Sequence, residues 1–107
     1  MENKPVDEER ARLSRLRRCI LTTLYTSFRE HPYALMMPQD LEQTCRAESR
    51  ALNWNLVYLE KCGYVELGKS IENPPYITSS IGLTAVGIDL VEDGDHLDKQ
   101  FPLPPAE

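Results

Sequence analysis

The chain has 107 residues, of which 41% are hydrophobic, and this length predicts one domain around a single core. Its formal net charge is −5, and the acidic excess lies after Cys62: residues 1–62 hold ten basic and nine acidic side chains, whereas residues 63–107 hold two and eight. It has no apolar run that could span a bilayer and no signal-peptide pattern, so we expect a cytoplasmic protein with no membrane contact.

A flexible N-terminus is predicted at residues 1–7, followed by a long amphipathic helix from about Asp7 to Glu30. Apolar side chains recur every three or four residues on one face of this helix: Leu13, Leu16, Ile20, Leu24 and Phe28. Five arginines fall within nine residues: Arg10, Arg12, Arg15, Arg17 and Arg18. These arginines either contact phosphate or form a solvated helix face, and the acidic residues nearby favour the second interpretation.

Two shorter helices are predicted next, separated by a tight turn. His31-Pro32 ends the long helix, because proline disfavours helical geometry in the residue before it. A second helix should begin at Pro38 and end near Cys45. After the turn at residues 46–48, a third helix should run from Ser49, or from the preceding glutamate, to Cys62, and Gly63 should end it.

A β-hairpin and a fourth helix complete the predicted domain, residues 8–93. The strands are residues 64–67 and 76–83, joined by the turn-forming sequence GKSIENPP. Thr84 should cap a helix from Ala85 to about Glu92. Residues 94–107 read as an acidic tail that contains prolines and the apolar pair Phe101 and Leu103.

Two segments resemble the winged helix-turn-helix family of transcriptional regulators, of the MarR, PadR and ArsR-like type. They are YLEKCGYVEL, residues 58–67, and LTAVGIDLVED, residues 83–93. The resemblance covers residues 38–93 and implies an α+β fold, mainly α. In this winged helix a three-helix core carries a two-stranded β-hairpin wing, with the long N-terminal helix before it and a further helix after the wing.

The resemblance also implies a DNA-binding site at the start of the third helix, which would enter the major groove. Arg50 would contact guanine and Asn53 adenine, while Ser49 or Arg46 would hold phosphate. At the wing tip, Lys69 and Ser70 would reach the backbone or the minor groove. Trp54 is a further candidate for DNA contact, with a core position or an exposed protein interface as its alternatives. This set of DNA-binding candidates comprises Arg46, Ser49, Arg50, Asn53, Trp54, Lys69 and Ser70.

Catalytic, metal and cofactor sites are not expected. The sequence holds no CxxC pair, so its three cysteines are expected to be small buried thiols in a reducing compartment. His96 lies among Asp93, Asp95 and Asp98, which we interpret as a solvated acidic segment. Ser79 and Ser80 have no base close by in the sequence that would activate a nucleophile.

The sequence therefore predicts a small regulator that binds double-stranded DNA and catalyses no reaction. We expect a homodimer formed through the N-terminal helix and the C-terminal tail, because two half-sites raise affinity without new kinds of contact. The alternative is a winged-helix module that binds another protein and no DNA, using Trp54, the almost uncharged wing and the acidic C-terminal half. Small proteins of this kind occur in prophages and mobile elements, so the prediction includes a prophage or mobile-element origin.

Overall fold

The computed structural model describes residues 5–68 and 73–103. The predicted α+β class, mainly helical with a two-stranded antiparallel hairpin, is confirmed. None of the described helices is both long and apolar enough to cross a membrane. The elements in chain order are α1 (Pro5–Glu30), α2 (Pro38–Cys45), α3 (Ser49–Lys61), β1 (Val65–Leu67), β2 (Ile81–Leu83), α4 (Ala85–Glu92) and α5 (Gly94–Gln100).

Helix α1 is the longest element, and it begins at Pro5, earlier than the sequence predicted. Proline is tolerated there because the first helical turn leaves its N–H groups without an intrahelical acceptor. Of the N-terminal segment predicted to be flexible, residues 5–7 are helical and residues 1–4 lie outside the described residues. Ile20, Leu21 and Leu24 are buried, so the C-terminal half of α1 covers the core.

Helices α2 and α3 have the predicted starts and are joined by a sharp turn. Arg46 follows α2 in the left-handed conformation, with φ of 54°, and its backbone N–H donates to the carbonyl of Glu42. This geometry ends α2 and lets Ser49 begin α3 three residues later. Leu52, Leu56 and Leu59 of α3 are fully buried, as their spacing predicted.

The hairpin that follows α3 is shorter than predicted. Strand β1 pairs with β2 so that Val65 faces Leu83, but β2 covers only the last three residues of the predicted strand 76–83. The fully buried Thr78 lies in the part that is not strand, and its hydroxyl proton is shared between the carbonyls of Gly68 and Ser80. The segment between α1 and α2 forms an antiparallel bridge with β2, since the backbones of Met36 and Ile81 exchange hydrogen bonds of 3.0 and 2.8 Å.

Residues after α4 fold onto the domain, whereas the sequence predicted a tail from residue 94. Helix α5 covers Gly94–Gln100, and its cap is the Asp93 carboxylate, which accepts the His96 N–H at 3.2 Å. Leu97 and Phe101 are buried, and the Phe101 ring meets the Tyr64 ring edge-on at 6.2 Å. The prediction missed α5 because its polar sequence shows little apolar periodicity and its packing depends on distant residues. Residues 104–107 lie outside the described residues.

The expectation of three free thiols needs correction. Cys19 on α1 and Cys45 at the end of α2 form a disulfide, with their Cα atoms 5.8 Å apart, and Cys62 is the free cysteine. The two bonded cysteines are 26 residues apart in sequence, so no local spacing motif pointed to the pair. Disulfides persist mainly in oxidising compartments, so this pair does not fit the reducing surroundings expected for the chain.

Candidate nucleic-acid interface

The α2–α3 turn presents the basic residues predicted to contact DNA. Arg46 and Arg50 are exposed on either side of the helix start, and Ser49 is half-buried as the first residue of α3. Among the described residues, neither guanidinium forms a hydrogen bond or an ion pair. Glu48 is also exposed in this turn. The two arginines are therefore open to an anionic partner, with one carboxylate close by.

The side chain of Asn53 is hydrogen-bonded to the hairpin. Its Nδ2 donates to the carbonyl of Pro75 at 2.9 Å, and its Oδ1 accepts the backbone N–H of Ile77 at 3.1 Å. An asparagine amide carries the donor and acceptor pair that matches an adenine edge, but the same pair also matches an exposed backbone N–H and C=O. In this structure both ends of the amide are hydrogen-bonded to the backbone, so a contact with adenine would compete with these two bonds.

Trp54 belongs to a cluster that joins α3 to α1. The Arg17 guanidinium lies 3.8 Å from the Tyr58 ring centroid and 5.8 Å from that of Trp54. Its Nε donates at 2.8 Å to Oδ1 of the fully buried Asn55. Trp54 remains 46% exposed, so the core position considered for it is wrong.

Burial lowers the pKa of Arg17, and the nearby Arg10 lowers it further, whereas Tyr58 and Cys62 act in the opposite direction. The pKa of Tyr58 is raised, first by its hydrogen bond with Cys62 and then by burial. Arg17 thus contacts neighbouring side chains closely instead of belonging to a solvated helix face. Arg18 does so too, because its Nη1 donates to Asp98 at 2.9 Å and to the carbonyl of Phe101 at 3.0 Å.

Two further arginines lie beside the α2–α3 turn. Arg12 and Arg15 of α1 line an open groove of about 560 Å³ together with Arg46 and Trp54. We call this the turn groove; Glu9 and Glu48 are the acidic side chains that line it. The sequence showed a run of arginines but not which of them face the turn, because that depends on how α1 packs against α3.

The described part of the hairpin adds no basic side chain to this surface. Residues 65–68 and 73–83 include no lysine or arginine, and Ile77 is 48% exposed there. The predicted wing-tip contacts, Lys69 and Ser70, lie outside the described residues. Acidic side chains are exposed on α4 and α5 and at the junction between them: Asp89, Glu92, Asp93, Asp95 and Asp98.

Comparisons with protein-family models, with curated proteins and with solved structures find no match to the chain. Within residues 5–68 and 73–103, no group of three or more His, Cys, Asp or Glu side chains is arranged to hold a metal ion. The positively charged side chains of the candidate site are Arg12, Arg15 and Arg46 at the turn groove and Arg50 at the start of α3.

Proposed function

We propose that this protein is a winged-helix DNA-binding regulator in which α3 enters the major groove. The order of elements supports the proposal: α2 and α3 meet at a tight turn, an antiparallel hairpin follows α3, and the connection before α2 bridges to β2. The observation that carries the proposal is that Arg12, Arg15 and Arg46 gather beside the exposed start of α3. Phosphate binding needs such a local basic surface even when the whole chain is acidic.

In this proposal the basic side chains have different tasks. Arg50, exposed in the first turn of α3, contacts base edges, and a bidentate arginine–guanine pair contributes about 1–3 kcal/mol of discrimination. Arg46, Arg12 and Arg15 hold phosphates on the flanking backbone. Asn53 supports the site indirectly, because it fixes the hairpin against α3.

The test measures DNA binding by fluorescence anisotropy at low salt. It compares the wild type with Arg50→Ala, each on random duplex DNA and on a site selected from a random pool. We expect Arg50→Ala to weaken binding to the selected site about tenfold or more and to affect random DNA much less. The double variant Arg12→Ala/Arg15→Ala should weaken binding to all sequences and reduce the dependence on salt.

Lys61→Ala is the matched control, since it removes one exposed positive charge from the other end of α3. If Lys61→Ala and Arg50→Ala weaken binding equally, only overall charge matters and the recognition role of α3 is rejected. If the wild type fails to bind DNA at micromolar concentration, DNA binding itself is rejected.

A second candidate function, protein binding without DNA, is favoured by the exposed apolar side chains near α3. Trp54 and Ile77 are about half exposed, and Asn53 is already bonded to the hairpin. Exposed aromatic residues are enriched in protein interfaces. Trp54→Ser distinguishes the two functions. If the protein binds another protein, the substitution should abolish capture of that partner. If the protein binds DNA, the substitution should leave the DNA affinity nearly unchanged.

The homodimer predicted from the sequence stays a prediction, with one change in its surface. Phe101 is buried against its own core, so it is not available to a second copy, whereas Leu103 is 52% exposed. Sedimentation equilibrium over a range of protein concentrations tests the dimer, and Leu103→Glu should weaken it. A constant monomer mass would contradict the prediction.

A further inference from the structure

The segment between α1 and α2 exposes three large apolar side chains, which we call the edge strip. Tyr33 is 99% exposed, Leu35 61% and Met37 52%. Met36, which lies between the last two, packs against the core, as the alternation of side chains along an extended chain requires. None of the three residues of the edge strip belongs to the candidate nucleic-acid interface. What the edge strip binds therefore does not depend on whether α3 binds DNA.

The backbone of this segment extends the sheet beyond β2 and leaves its outer edge open. Met36 uses both its N–H and its C=O for Ile81, so the backbone groups of its two neighbours point away from β2. Among the described residues, the N–H and C=O of Leu35 and the N–H of Met37 have no hydrogen-bond partner. The C=O of Met37 accepts the N–H of Asp40 at 3.0 Å. Three backbone groups are therefore available to a further strand.

The sequence of the segment favours pairing at this edge. Natural proteins usually protect a free sheet edge with a charge, a proline or a bulge, but residues 33–37 (YALMM) contain no charged residue and no proline. Gly82 of β2 leaves room for Leu35 to lie over the strand, because a Cβ at that position would come within 2.8 Å of the Leu35 Cδ2. The apolar side chain of Leu35 is thereby placed beside its own open backbone groups.

The area of the edge strip decides which kind of partner fits. A standard interface between two folded proteins buries about 800 Å² on each partner. Even a large aromatic side chain buries only about 150–250 Å², so three side chains, two of them aliphatic and partly covered, offer too little for a second copy of the chain. A single added strand needs less area, because its backbone hydrogen bonds supply affinity and its alternate side chains supply the contacts.

We propose that the edge strip binds an extended peptide segment of a partner protein, which joins the sheet as a further strand. The backbone of the peptide pairs with the N–H and C=O of Leu35 and with the N–H of Met37. An apolar side chain at every second position of the peptide covers Tyr33, Leu35 and Met37. The partner is thus recognised by its extended backbone and its alternating apolar pattern.

The probe is a short synthetic peptide in which valine and threonine alternate, with a lysine at each end. It is titrated into isotopically labelled full-length protein, and backbone amide shifts and hydrogen exchange are followed by NMR. We expect saturable shifts at Leu35, Met37 and Ile81, and slower exchange of the Leu35 and Met37 amides in the complex. The same peptide with N-methylated amides keeps its side chains and charge but cannot donate hydrogen bonds, so it should bind about tenfold more weakly or less.

The double variant Tyr33→Ser/Met37→Ser should weaken peptide binding about tenfold or more, because it removes two of the three apolar contacts. It should stay folded, since both side chains are exposed and serine is a favoured residue at the N-cap of α2, where Met37 makes no side-chain cap bond. Leu103→Ser is the matched control: Leu103 is as exposed as Met37 but lies outside the edge strip, so the affinity should not change.

Three results would overturn the proposal: no saturable shifts at Leu35 and Met37, equal affinity for the N-methylated peptide, or equal affinity in the double variant. Shifts of the Leu35 amide that follow protein concentration without peptide would assign the edge strip to a second copy of the chain and also overturn it.

Discussion

At the scale of single residues, two amides hold α3 in place. Asn53 bonds the backbone before β2 through both ends of its side chain, and the fully buried Asn55 accepts from Arg17 and donates to the carbonyl of Ala51. Buried amide groups need such partners, because an unpaired one costs about 1–3 kcal/mol. The orientation of α3 relative to both α1 and the hairpin therefore depends on polar side chains as well as on the leucine core.

Replacing Asn53 should damage the hairpin before it changes DNA recognition. Asn53→Ala removes two side-chain hydrogen bonds to the hairpin, so we expect a loss of about 1–2 kcal/mol in the free energy of unfolding, measured with urea. Gln43→Ala, an exposed change on α2, serves as the control and should have little effect. A stable Asn53→Ala variant with altered base preference would show that Asn53 contacts bases after all.

The residues of the candidate site show what the sequence could indicate. The sequence placed Arg46 and Arg50 at the turn before α3 because helix start and turn are local features, and the structure exposes both; their contact with DNA stays a prediction. The true positions of Asn53 and Trp54 were not predictable, because each depends on a contact with another element: the hairpin for Asn53 and Arg17 for Trp54. For the same reason the sequence did not place Arg12 and Arg15 at the turn groove.

At the scale of elements, local signals predicted the starts of α2, α3 and α4. These signals act within a few residues: the proline in the first turn of α2, the tight turn after α2 and the cap at Thr84. In the cap, the Thr84 hydroxyl accepts the backbone N–H of Gly87 at 3.0 Å. Long-range contacts determined what was missed, namely α5, the Met36 bridge and the disulfide. Periodicity and caps carry no information about such contacts.

The disulfide between α1 and α2 should contribute substantially to stability. Closing a loop between residues 26 apart restricts the unfolded chain, which corresponds to about 3–4 kcal/mol. We expect the urea midpoint of the wild type to fall clearly when dithiothreitol is added. The Cys45→Ser variant should show this lower midpoint both with and without dithiothreitol. Cys62→Ser, at the free cysteine, should keep the sensitivity to reductant. Three titratable thiols in the unreduced, unfolded protein would contradict the disulfide.

Packing of the segment after α5 provides a second test at this scale. Phe101 is 2% exposed and contacts Tyr64, so Phe101→Ala should lower the free energy of unfolding by about 3–5 kcal/mol. Leu103→Ala changes a half-exposed side chain two residues away and should cost much less. Equal, small effects in thermal unfolding of the two variants would mean that residues 94–103 do not pack on the domain.

At the scale of the whole molecule, the distribution of charge limits the orientation in which the proposed DNA ligand could bind. Exposed carboxylates are concentrated on α4 and α5, whereas Arg12, Arg15 and Arg46 line the turn groove. A polyanion is therefore expected to bind in one orientation, with α3 facing it and the α4–α5 surface away from it. Affinity should be modest at physiological salt, because few phosphates are neutralised.

The most direct test of the central claim is the salt dependence of duplex DNA binding by the intact chain. Three arginines that neutralise phosphate, Arg12, Arg15 and Arg46, predict a slope of about −3 for log K against log salt concentration per bound chain. The Arg12→Ala/Arg15→Ala variant should reduce the steepness of that slope by about two. No binding to DNA at low salt, or a slope that the double variant leaves unchanged, would contradict the account.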